Sequence, residues 1–579
     1  MKILRVVQYG DIFPEQEENL PLAETLLKGI NREHLCNLTS NMLLRLARQP
    51  FLDDRLNPRN KEYDFLTFFL SDIDPEFVIE VRERFEALKK REEGQKRYDY
   101  EYVATGKASV MTFQRLFFSL PPTEDKFNNQ TERDYFKALL LINQQVYDLK
   151  YDEKKHENEP IDLKLAHLYL ANCYANEDVD SSDFYDAFRR QLVKSIELFT
   201  YLCRDKRLKR MREMFYAHFR IGNWADYIIP HIMSLHWLKQ ESGLLAVQGK
   251  HISGRKVRRV IKRSAIEYRD IIPYSDNEDY RQFRGKPFVH LGRYRYAITN
   301  PLFVVEHIYN SVYFELKKYR KDVGFKDDDA FRIYFTTEFS QKFMFHKYAR
   351  LCLSGKELNV LDGAQCDEIV ESKHAQGVNP LDFYTRYNDC CALFEFKDTF
   401  LSAKLKDDRD AEKFFKEIRN KFVEKPDGTP KGIGQLMKNV KTIQDGSFIF
   451  DEVNPETVIY PVLVVDNYAY TMRAMRTKLE YLMREYCRDK GIDDNHVKPL
   501  ILVDVATFRL YADYISSVGY INVFEEYYKA IQIPENPGYD VVFNSMMSFS
   551  EFMKSKKPGD VMRVVQRLLN QVKPYFKMV

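Results

Sequence analysis

Two acidic residues and a lysine are spaced so that a β-hairpin would bring them together. Residues 381–386 (LDFYTR) and 390–397 (CCALFEFK) favour β-strands, and the Asn-Asp pair between them suits a two-residue turn. With that turn, Asp382 lies directly opposite Glu395, with about 5 Å between their Cβ atoms. Lys397 shares their face, because side chains along a strand alternate with a period of two.

Two carboxylates at this position predict a bound cation. Opposed like charges destabilise a hairpin. The strand that carries Glu395 is also apolar on both faces, as in a central buried strand. Burying both carboxylates is unfavourable unless a cation offsets their charge. Hard carboxylate oxygens favour Mg²⁺, or Mn²⁺ in its place. A lysine beside such an ion can position water or stabilise charge that develops on a phosphate.

These residues resemble the motif of the PD-(D/E)xK nuclease superfamily, which has the restriction-endonuclease-like fold. In that motif an aspartate precedes an acid-x-lysine triplet, which reads here as Asp382 followed by Glu395-Phe396-Lys397. The resemblance implies that Asp382 and Glu395 ligate Mg²⁺ together with the Phe396 carbonyl. It also implies that Lys397 orients the attacking water or stabilises the pentavalent phosphate.

The order of predicted elements around the motif is similar to that of the family, whose core runs helix, three strands, helix, strand. A helix is predicted over residues 336–353, and helical segments follow the hairpin over 402–423 and 431–442. Residues 458–465 (VIYPVLVV) have the composition of a buried strand. Residues 357–370 offer only fragments of the first core strand.

Further site residues follow from the same resemblance. Residues 431–439 (KGIGQLMKN) are similar to the second core helix of the family. Gln435 would support the attacking water or the DNA backbone, and Lys438 shares its face one turn later and would contact DNA. Glu338 is the candidate for the first-helix acid that some members use. Asp389 competes with Asp382 as the first acid, although its place in a turn favours a structural role.

The composition predicts a chain with several folded domains. Its 579 residues correspond to about two to four domains, and its 44% hydrophobic content supports substantial cores. Because the formal net charge is only +3, any nucleic-acid-binding surface must be local. The eight cysteines form no CxxC pair, which favours reduced thiols and a cytoplasmic protein. No stretch approaches the roughly eighteen apolar residues of a membrane span.

Other kinds of site find less support in the sequence. There is no Walker A motif, no Rossmann glycine fingerprint, no HExxH and no GxSxG elbow. The twelve histidines do not cluster at zinc-ligand spacing.

Two regions with different roles are predicted. Residues 1–320 have the periodicity of a mainly α-helical domain, which would sense a signal, bind a partner or position substrate. The polar run 320–330 marks the boundary. Residues 330–579 form the nuclease domain with a carboxy-terminal extension, and its α/β restriction-endonuclease-like core contains a central mixed sheet. Asp466 and Asp504 end predicted strands in this domain and are expected to cap loops.

A basic run without acidic residues lies before the predicted boundary, over residues 250–263, and a shorter basic cluster covers residues 204–212. Such clusters can contact phosphates, and the alternative is a solvated helix face. Within the longer run, the predicted nucleic-acid-binding residues are Arg255, Lys256, Arg258, Arg259, Lys262 and Arg263.

Together these features predict a cytoplasmic, Mg²⁺-dependent nuclease that hydrolyses phosphodiester bonds. By resemblance the substrate is DNA, and analogy of fold adds a role in bacterial antiviral defence. One alternative is a catalytically inactive nuclease-fold protein that acts in binding or as a scaffold. A second alternative is an RNA-directed nuclease or toxin. A protein partner or activator on the helical domain and a homo-oligomer are left open, and no membrane partner is expected.

Overall fold

Helices make up most of the chain in the computed structural model. It describes residues 2–15, 22–48, 75–93, 99–103, 107–120, 128–147, 151–176, 184–237, 244–246, 255–268, 270–272, 278–292, 295–353, 359–375, 378–556, 563–567 and 570. Among these residues, no helix has both the length and the apolar character that crossing a bilayer requires. Within the same ranges all eight cysteines are free thiols.

The amino-terminal part is mainly α-helical, as the sequence predicts. Its helices cover Tyr9–Ile12, Ala23–Leu27, Arg32–Arg48, Pro75–Glu93, Lys107–Ser119, Asn129–Tyr147, Ile161–Cys173, Phe184–Arg204, Lys209–Phe219, Ala225–Trp237, Arg255–Arg263, Arg281–Gly285, Pro301–Glu306 and Asn310–Lys317.

Two small sheets interrupt these helices, and the sequence periodicity does not predict either of them. Strands β1 (Lys2–Val6) and β2 (Asp99–Val103) pair in parallel. A second sheet has the order β3-β6-β5-β4. Its strands are short, so the alternation of apolar and polar residues that marks a strand extends over too few residues to be recognised. They cover β3 (Leu244–Ala246), β4 (Ala265–Glu267), β5 (Phe288–Gly292) and β6 (Arg295–Ile298).

A five-stranded mixed sheet forms the centre of the carboxy-terminal part, with the order β11-β10-β9-β8-β7. Its strands are β7 (Asn359–Asp362), β8 (Phe383–Tyr387), β9 (Cys390–Lys397), β10 (Val458–Val465) and β11 (Ile501–Asp504). Strand β8 pairs antiparallel with both β7 and β9, whereas β10 pairs parallel with both β9 and β11. The predicted strand over residues 458–465 is confirmed, and β7 lies within the region that offered only fragments.

Helices cover both faces of this sheet, so the central strands are apolar on both sides. Leu393 and Leu463 pack on one face, in a core that includes helices Ala411–Phe422, Ile433–Gln444 and Met475–Lys490. The other helices of this part cover Asp328–Tyr334, His346–Cys352, Gly363–Ser372, Ala403–Asp408, Val505–Leu510, Ala512–Val518, Tyr520–Ala530, Tyr539–Ser545 and Phe549–Lys554.

The opposite face of the sheet packs against helices from both halves of the chain. Phe394 and Val464 lie in one buried cluster with Leu192 and Phe199 of helix Phe184–Arg204. The polar run 320–330 therefore does not separate two independent hydrophobic cores. A helix that begins 136 residues before this run contributes directly to the core of the central sheet.

The helix predicted over residues 336–353 contains a π-helical segment. The chain is α-helical over Asp328–Tyr334, π-helical over Phe335–Phe345 and α-helical again over His346–Cys352. Short π-helical segments occur frequently at functional sites, because the wider turn redirects side chains. This one carries Gln341, which donates a hydrogen bond to Asp382.

Candidate active site

The hairpin of β8 and β9 has the register that the sequence predicts. Phe383 pairs with Phe394, and Thr385 pairs with Ala392. The turn is made possible by Asn388, whose φ of +50° lies in the left-handed region that asparagine tolerates. Extending the register by one residue brings Asp382, which directly precedes β8, to the level of Glu395 in β9.

Two hydrogen bonds hold Asp382 in place. Its Oδ2 accepts from the backbone N–H of Phe396 at 2.6 Å, and its Oδ1 accepts from Nε2 of Gln341 at 2.6 Å. Phe396 is the middle residue of the acid-x-lysine triplet, so its amide ties Asp382 directly to the strand that carries Glu395 and Lys397. The predicted role of the Phe396 carbonyl as a ligand stays a prediction.

Glu395, Lys397 and Gln435 form a second set of hydrogen bonds beside Asp382. Lys397 Nζ donates to Glu395 Oε1 at 2.5 Å and to Gln435 Oε1 at 3.0 Å. Glu395 is only 2% exposed, whereas the Lys397 side chain is 22% exposed. The acid is therefore buried, while the lysine reaches towards solvent.

Two glycines let Gln435 reach this position. A Cβ atom on Gly432, which has φ +44°, would lie 2.9 Å from the Phe422 carbonyl oxygen, and one on Gly434 would lie 2.2 Å from that of Val423. Only glycine permits this approach of the start of helix Ile433–Gln444 to the preceding helix. Gln435 Oε1 also accepts from the Gly432 N–H at 2.9 Å, which fixes its orientation.

Burial dominates the electrostatics of the site. Desolvation raises the pKa of Asp382. Desolvation, followed by repulsion from Asp382, raises the pKa of Glu395 to about 8. Burial by itself would lower the pKa of Lys397, but the charges of Glu395 and Asp382 outweigh it and the net shift is upward. The two carboxylates thus share one lysine, and a further positive charge would be favourable there.

Two residues near the carboxylates were not predicted from the sequence. Gln341 contacts Asp382, whereas the sequence predicts Glu338 in the same helix as the acid of the site. Glu338 instead accepts from Lys342 Nζ at 2.8 Å and lines a surface pocket with Arg207 and other residues. Lys431 is half-buried, and its charge lowers the pKa of Glu395. Its place at the start of the segment KGIGQLMKN is the one sequence signal that could have found it.

The other predicted nucleic-acid-binding residues belong to two helices. Residues 250–254 of the basic run, and the side chains of Arg255 and Lys256, lie outside the described part of the chain. Lys438 is exposed on helix Ile433–Gln444. The basic run forms helix Arg255–Arg263, which buries Val257, Val260 and Ile261. Arg259 and Lys262 are exposed on this helix, while Arg258 and Arg263 are partly buried.

A second group of buried acids lies at the ends of β10 and β11. Asp466 accepts from Lys194 Nζ at 3.2 Å, and Asp504 accepts from Arg190 Nη1 at 2.5 Å. Asp504 also accepts from the Ala506 N–H at 3.0 Å, so its predicted capping role is confirmed. Both cations come from helix Phe184–Arg204. These ion pairs therefore link the amino-terminal helices to the sheet.

Comparison of the chain with protein-family models, with curated proteins and with solved structures finds no significant match.

Proposed function

We propose that this protein is a metal-dependent nuclease that hydrolyses phosphodiester bonds, with DNA as its substrate. The observation that carries the proposal is the convergence of Asp382, Glu395, Lys397 and Gln435. They come from a β-hairpin and a helix that starts 36 residues after the hairpin ends. Buried carboxylates beside a lysine and an amide are costly to assemble, so a functional reason for them is favoured.

The arrangement of elements supports a restriction-endonuclease-like core. A helix that ends at Cys352 is followed by β7, β8 and β9, and then by helix Ile433–Gln444 and β10. The strands pair antiparallel, antiparallel and parallel in that order. This agrees with the order of helix, three strands, helix and strand that the sequence resemblance implies. Helix Gly363–Ser372 is inserted between the first two strands, and helices Ala403–Asp408 and Ala411–Phe422 are inserted between β9 and helix Ile433–Gln444.

The carboxylates fit a hard divalent cation. Asp382 and Glu395 would hold Mg²⁺ or Mn²⁺ through carboxylate oxygens, with the Phe396 carbonyl as a further ligand. Both acids have raised pKa values because they are buried, and a cation would favour their ionised forms. When bound, the ion would supply Lewis acidity and an activated water.

Residues that do not bind the metal through their side chains would contribute to the reaction in other ways. The raised pKa of Lys397 keeps its amine protonated, so it would stabilise negative charge on the phosphate rather than act as a base. Gln435 Oε1 orients Lys397, and its amide group can donate to water or to a phosphate oxygen. Gln341 and the Phe396 amide fix Asp382 before substrate binds, which reduces the reorganisation that the reaction requires.

The test is cleavage of plasmid DNA, linear DNA and RNA in Mg²⁺, in Mn²⁺ and in EDTA. Glu395→Gln and Asp382→Asn keep side-chain shape and remove one charge each. We expect cleavage only with the cation, and a loss of about a hundredfold or more in each variant. The matched control is Asp389→Asn, which changes the exposed acid of the hairpin turn and should keep full activity.

Each alternative corresponds to a different result of this assay. Full Mg²⁺-dependent activity in Glu395→Gln would overturn the assignment of the site. Cleavage of RNA but not of DNA would keep the site and change the substrate. Binding of nucleic acid without cleavage in either cation would identify a binding or scaffold protein.

A further inference from the structure

A second group of metal-binding side chains lies away from the proposed nuclease site. Glu159 is placed between two histidines, with Oε1 lying 3.0 Å from His156 Nδ1 and Oε2 lying 2.7 Å from His167 Nδ1. Ligand atoms of all three residues lie within 4.8 Å of one another. The sequence did not reveal this group, because the two histidines are eleven residues apart and lie on different elements. His156 ends the 3₁₀-helix Glu153–His156, and His167 lies inside helix Ile161–Cys173.

The donor atoms of this group are incompletely satisfied. His167 is 1% exposed, and the 2.7 Å contact between its Nδ1 and Glu159 Oε2 lacks the geometry of a hydrogen bond. Glu159 Oε2 likewise has no hydrogen-bond partner among the described residues. Buried polar atoms are normally paired, and unpaired ones indicate a missing ion or water. A cation between Nδ1 and Oε2 would satisfy both atoms at once.

The surroundings of His156 favour the same interpretation. Its other ring nitrogen, Nε2, lies 3.1 Å from Oε1 of Glu412, on helix Ala411–Phe422. A carboxylate that accepts from one ring nitrogen leaves the other free to coordinate, and histidines that bind metals commonly have such a partner. The carboxyl groups of Glu159 and Glu412 are 26% and 41% exposed, so an ion can reach the site from solvent.

We propose that His156, Glu159 and His167 form a site for a transition-metal dication, best matched by Zn²⁺. Two imidazole nitrogens and a carboxylate suit Zn²⁺ better than Mg²⁺, which prefers oxygen ligands alone. The ion would attach residues 153–167 to helix Ala411–Phe422, whose Glu412 contacts His156. This inference does not depend on the proposed nuclease activity, because the two sites share no residue.

The positive charge of Lys478 disfavours a cation at His167, so a variant without that charge tests the proposed metal site. Its Nζ lies 2.6 Å from His167 Nε2, so the ammonium donates to that nitrogen in the metal-free protein. When Nδ1 coordinates a metal, Nε2 must carry the ring hydrogen and can no longer accept. The ammonium must then turn away, and it also repels the dication. Replacing Lys478 by methionine should therefore tighten metal binding.

The experiment is calorimetric titration of the full chain with ZnCl₂ after removal of metals with EDTA. The Asp382→Asn, Glu395→Gln double variant serves as the background, so that the nuclease site contributes little. We expect one equivalent of Zn²⁺ to bind. In a second measurement Co²⁺ replaces Zn²⁺, and its visible absorption spectrum should indicate nitrogen and oxygen ligands.

Further variants in the same background locate the site. Glu412→Gln should weaken binding by about 10- to 100-fold, the range for an outer-shell partner. His156→Ala and Glu159→Gln should weaken it further, and Lys478→Met should strengthen it. His167 is the most buried of the three residues, and His167→Ala could therefore fail to fold. The variants of the two more exposed ligands, His156 and Glu159, test the site in that case.

The matched control is His290→Ala. His290 Nδ1 lies 2.8 Å from Glu267 Oε2, so it offers a single histidine–glutamate pair without a second histidine. Its removal should leave Zn²⁺ affinity unchanged. Binding of less than one equivalent of Zn²⁺ would overturn the proposal. It would also be overturned if His156→Ala and Glu159→Gln bound Zn²⁺ as tightly as the background protein does. The group would then be a hydrogen-bonded network that joins the helices without a metal.

Discussion

Two groups of acids lie at the same edge of the five-stranded sheet, but their surroundings differ. Asp466 and Asp504 each have their own cation from helix Phe184–Arg204, at 3.2 and 2.5 Å respectively. All four side chains are at most 5% exposed. In the candidate active site, Asp382 and Glu395 share Lys397, which remains 22% exposed.

The difference shows that a shifted pKa does not by itself identify a catalytic group. Burial raises the pKa of Asp466 to about 6 and that of Glu395 to about 8. Yet Asp466 is buried and pairs with Lys194 inside the protein, which is typical of a structural ion pair. Glu395 lies beside a partly exposed lysine, where a substrate could be contacted. Access to solvent separates the two cases.

Removing one of the structural cations should have the largest effect on stability. Arg190→Ala leaves Asp504 and Asp186 without their guanidinium, which contacts them at 2.5 and 2.9 Å. We expect a loss of about 3–5 kcal/mol in the free energy of unfolding, measured with urea, because two buried carboxylates lose their shared cation. Arg210→Ala, an exposed residue on the next helix, is the control. A loss below about 1 kcal/mol would show that the two acid groups do not differ in this way.

Removing the lysine of the candidate site should instead affect catalysis. Lys397→Ala should cut DNA about a hundredfold more slowly, the scale expected when one transition-state contact is lost. Mg²⁺ binding should persist, because Lys397 is not a ligand. Single-turnover cleavage and calorimetry of the same variant distinguish these effects. Lys404→Ala, an exposed lysine in helix Ala403–Asp408, is the control.

Two other results for Lys397→Ala would change the interpretation. If Mg²⁺ binding disappeared together with activity, Lys397 would organise the carboxylates rather than act on the phosphate. If activity stayed normal, Lys397 would be an ordinary strand lysine, and the proposed nuclease function would lose its main support.

Local patterns were sufficient to predict the hairpin and the residues at its end. The alternation of β8 and β9 and the Asn388 turn fix the register, and the register alone brings Asp382 to the level of Glu395. The position of Gln435 beside Lys397 was also anticipated, through family resemblance.

Features that depend on distant parts of the chain could not be predicted in the same way. The π-helical turn that directs Gln341 towards Asp382 has no periodicity that distinguishes it from an α-helix. The pairing of Arg190 with Asp504 joins residues 314 positions apart, and no local pattern specifies such a contact. Helix Phe184–Arg204 lies in the region predicted to be mainly helical, but the sequence does not predict its role in the core of the sheet.

The pH dependence of stability should distinguish the site from an ordinary surface. Glu395 has a folded-state pKa raised to about 8 from a usual value of 4.5, because it is buried beside Asp382. The folded protein therefore holds a proton that the unfolded chain loses, and stability must fall as pH rises from about 4.5 to about 8. Glu395→Gln cannot lose this proton.

We therefore expect Glu395→Gln to gain stability relative to the wild type between pH 5 and pH 8.5 in EDTA, by up to about 4 kcal/mol, since one pKa unit corresponds to about 1.4 kcal/mol. The comparison is made by urea unfolding at pH 5 and pH 8.5. Mg²⁺ should reduce the difference, because it stabilises the ionised wild-type site. Asp389→Asn, in the exposed turn, should show no such trend. A difference that does not change with pH would mean that Glu395 is ionised in the metal-free protein.

The smallest expected effect is on DNA binding, after charge reversal on the basic helix Arg255–Arg263. This helix belongs neither to the buried ion pairs nor to the candidate site. Arg259 and Lys262 are exposed on it. If they contact phosphates, reversing both charges should weaken DNA binding and reduce the slope of log affinity against log salt by about one for each contact. The matched control reverses Lys404 and Lys416, two exposed lysines, and so changes the net charge equally. An identical slope in both double variants would show that helix Arg255–Arg263 is a solvated surface, and that DNA reaches the site by another route.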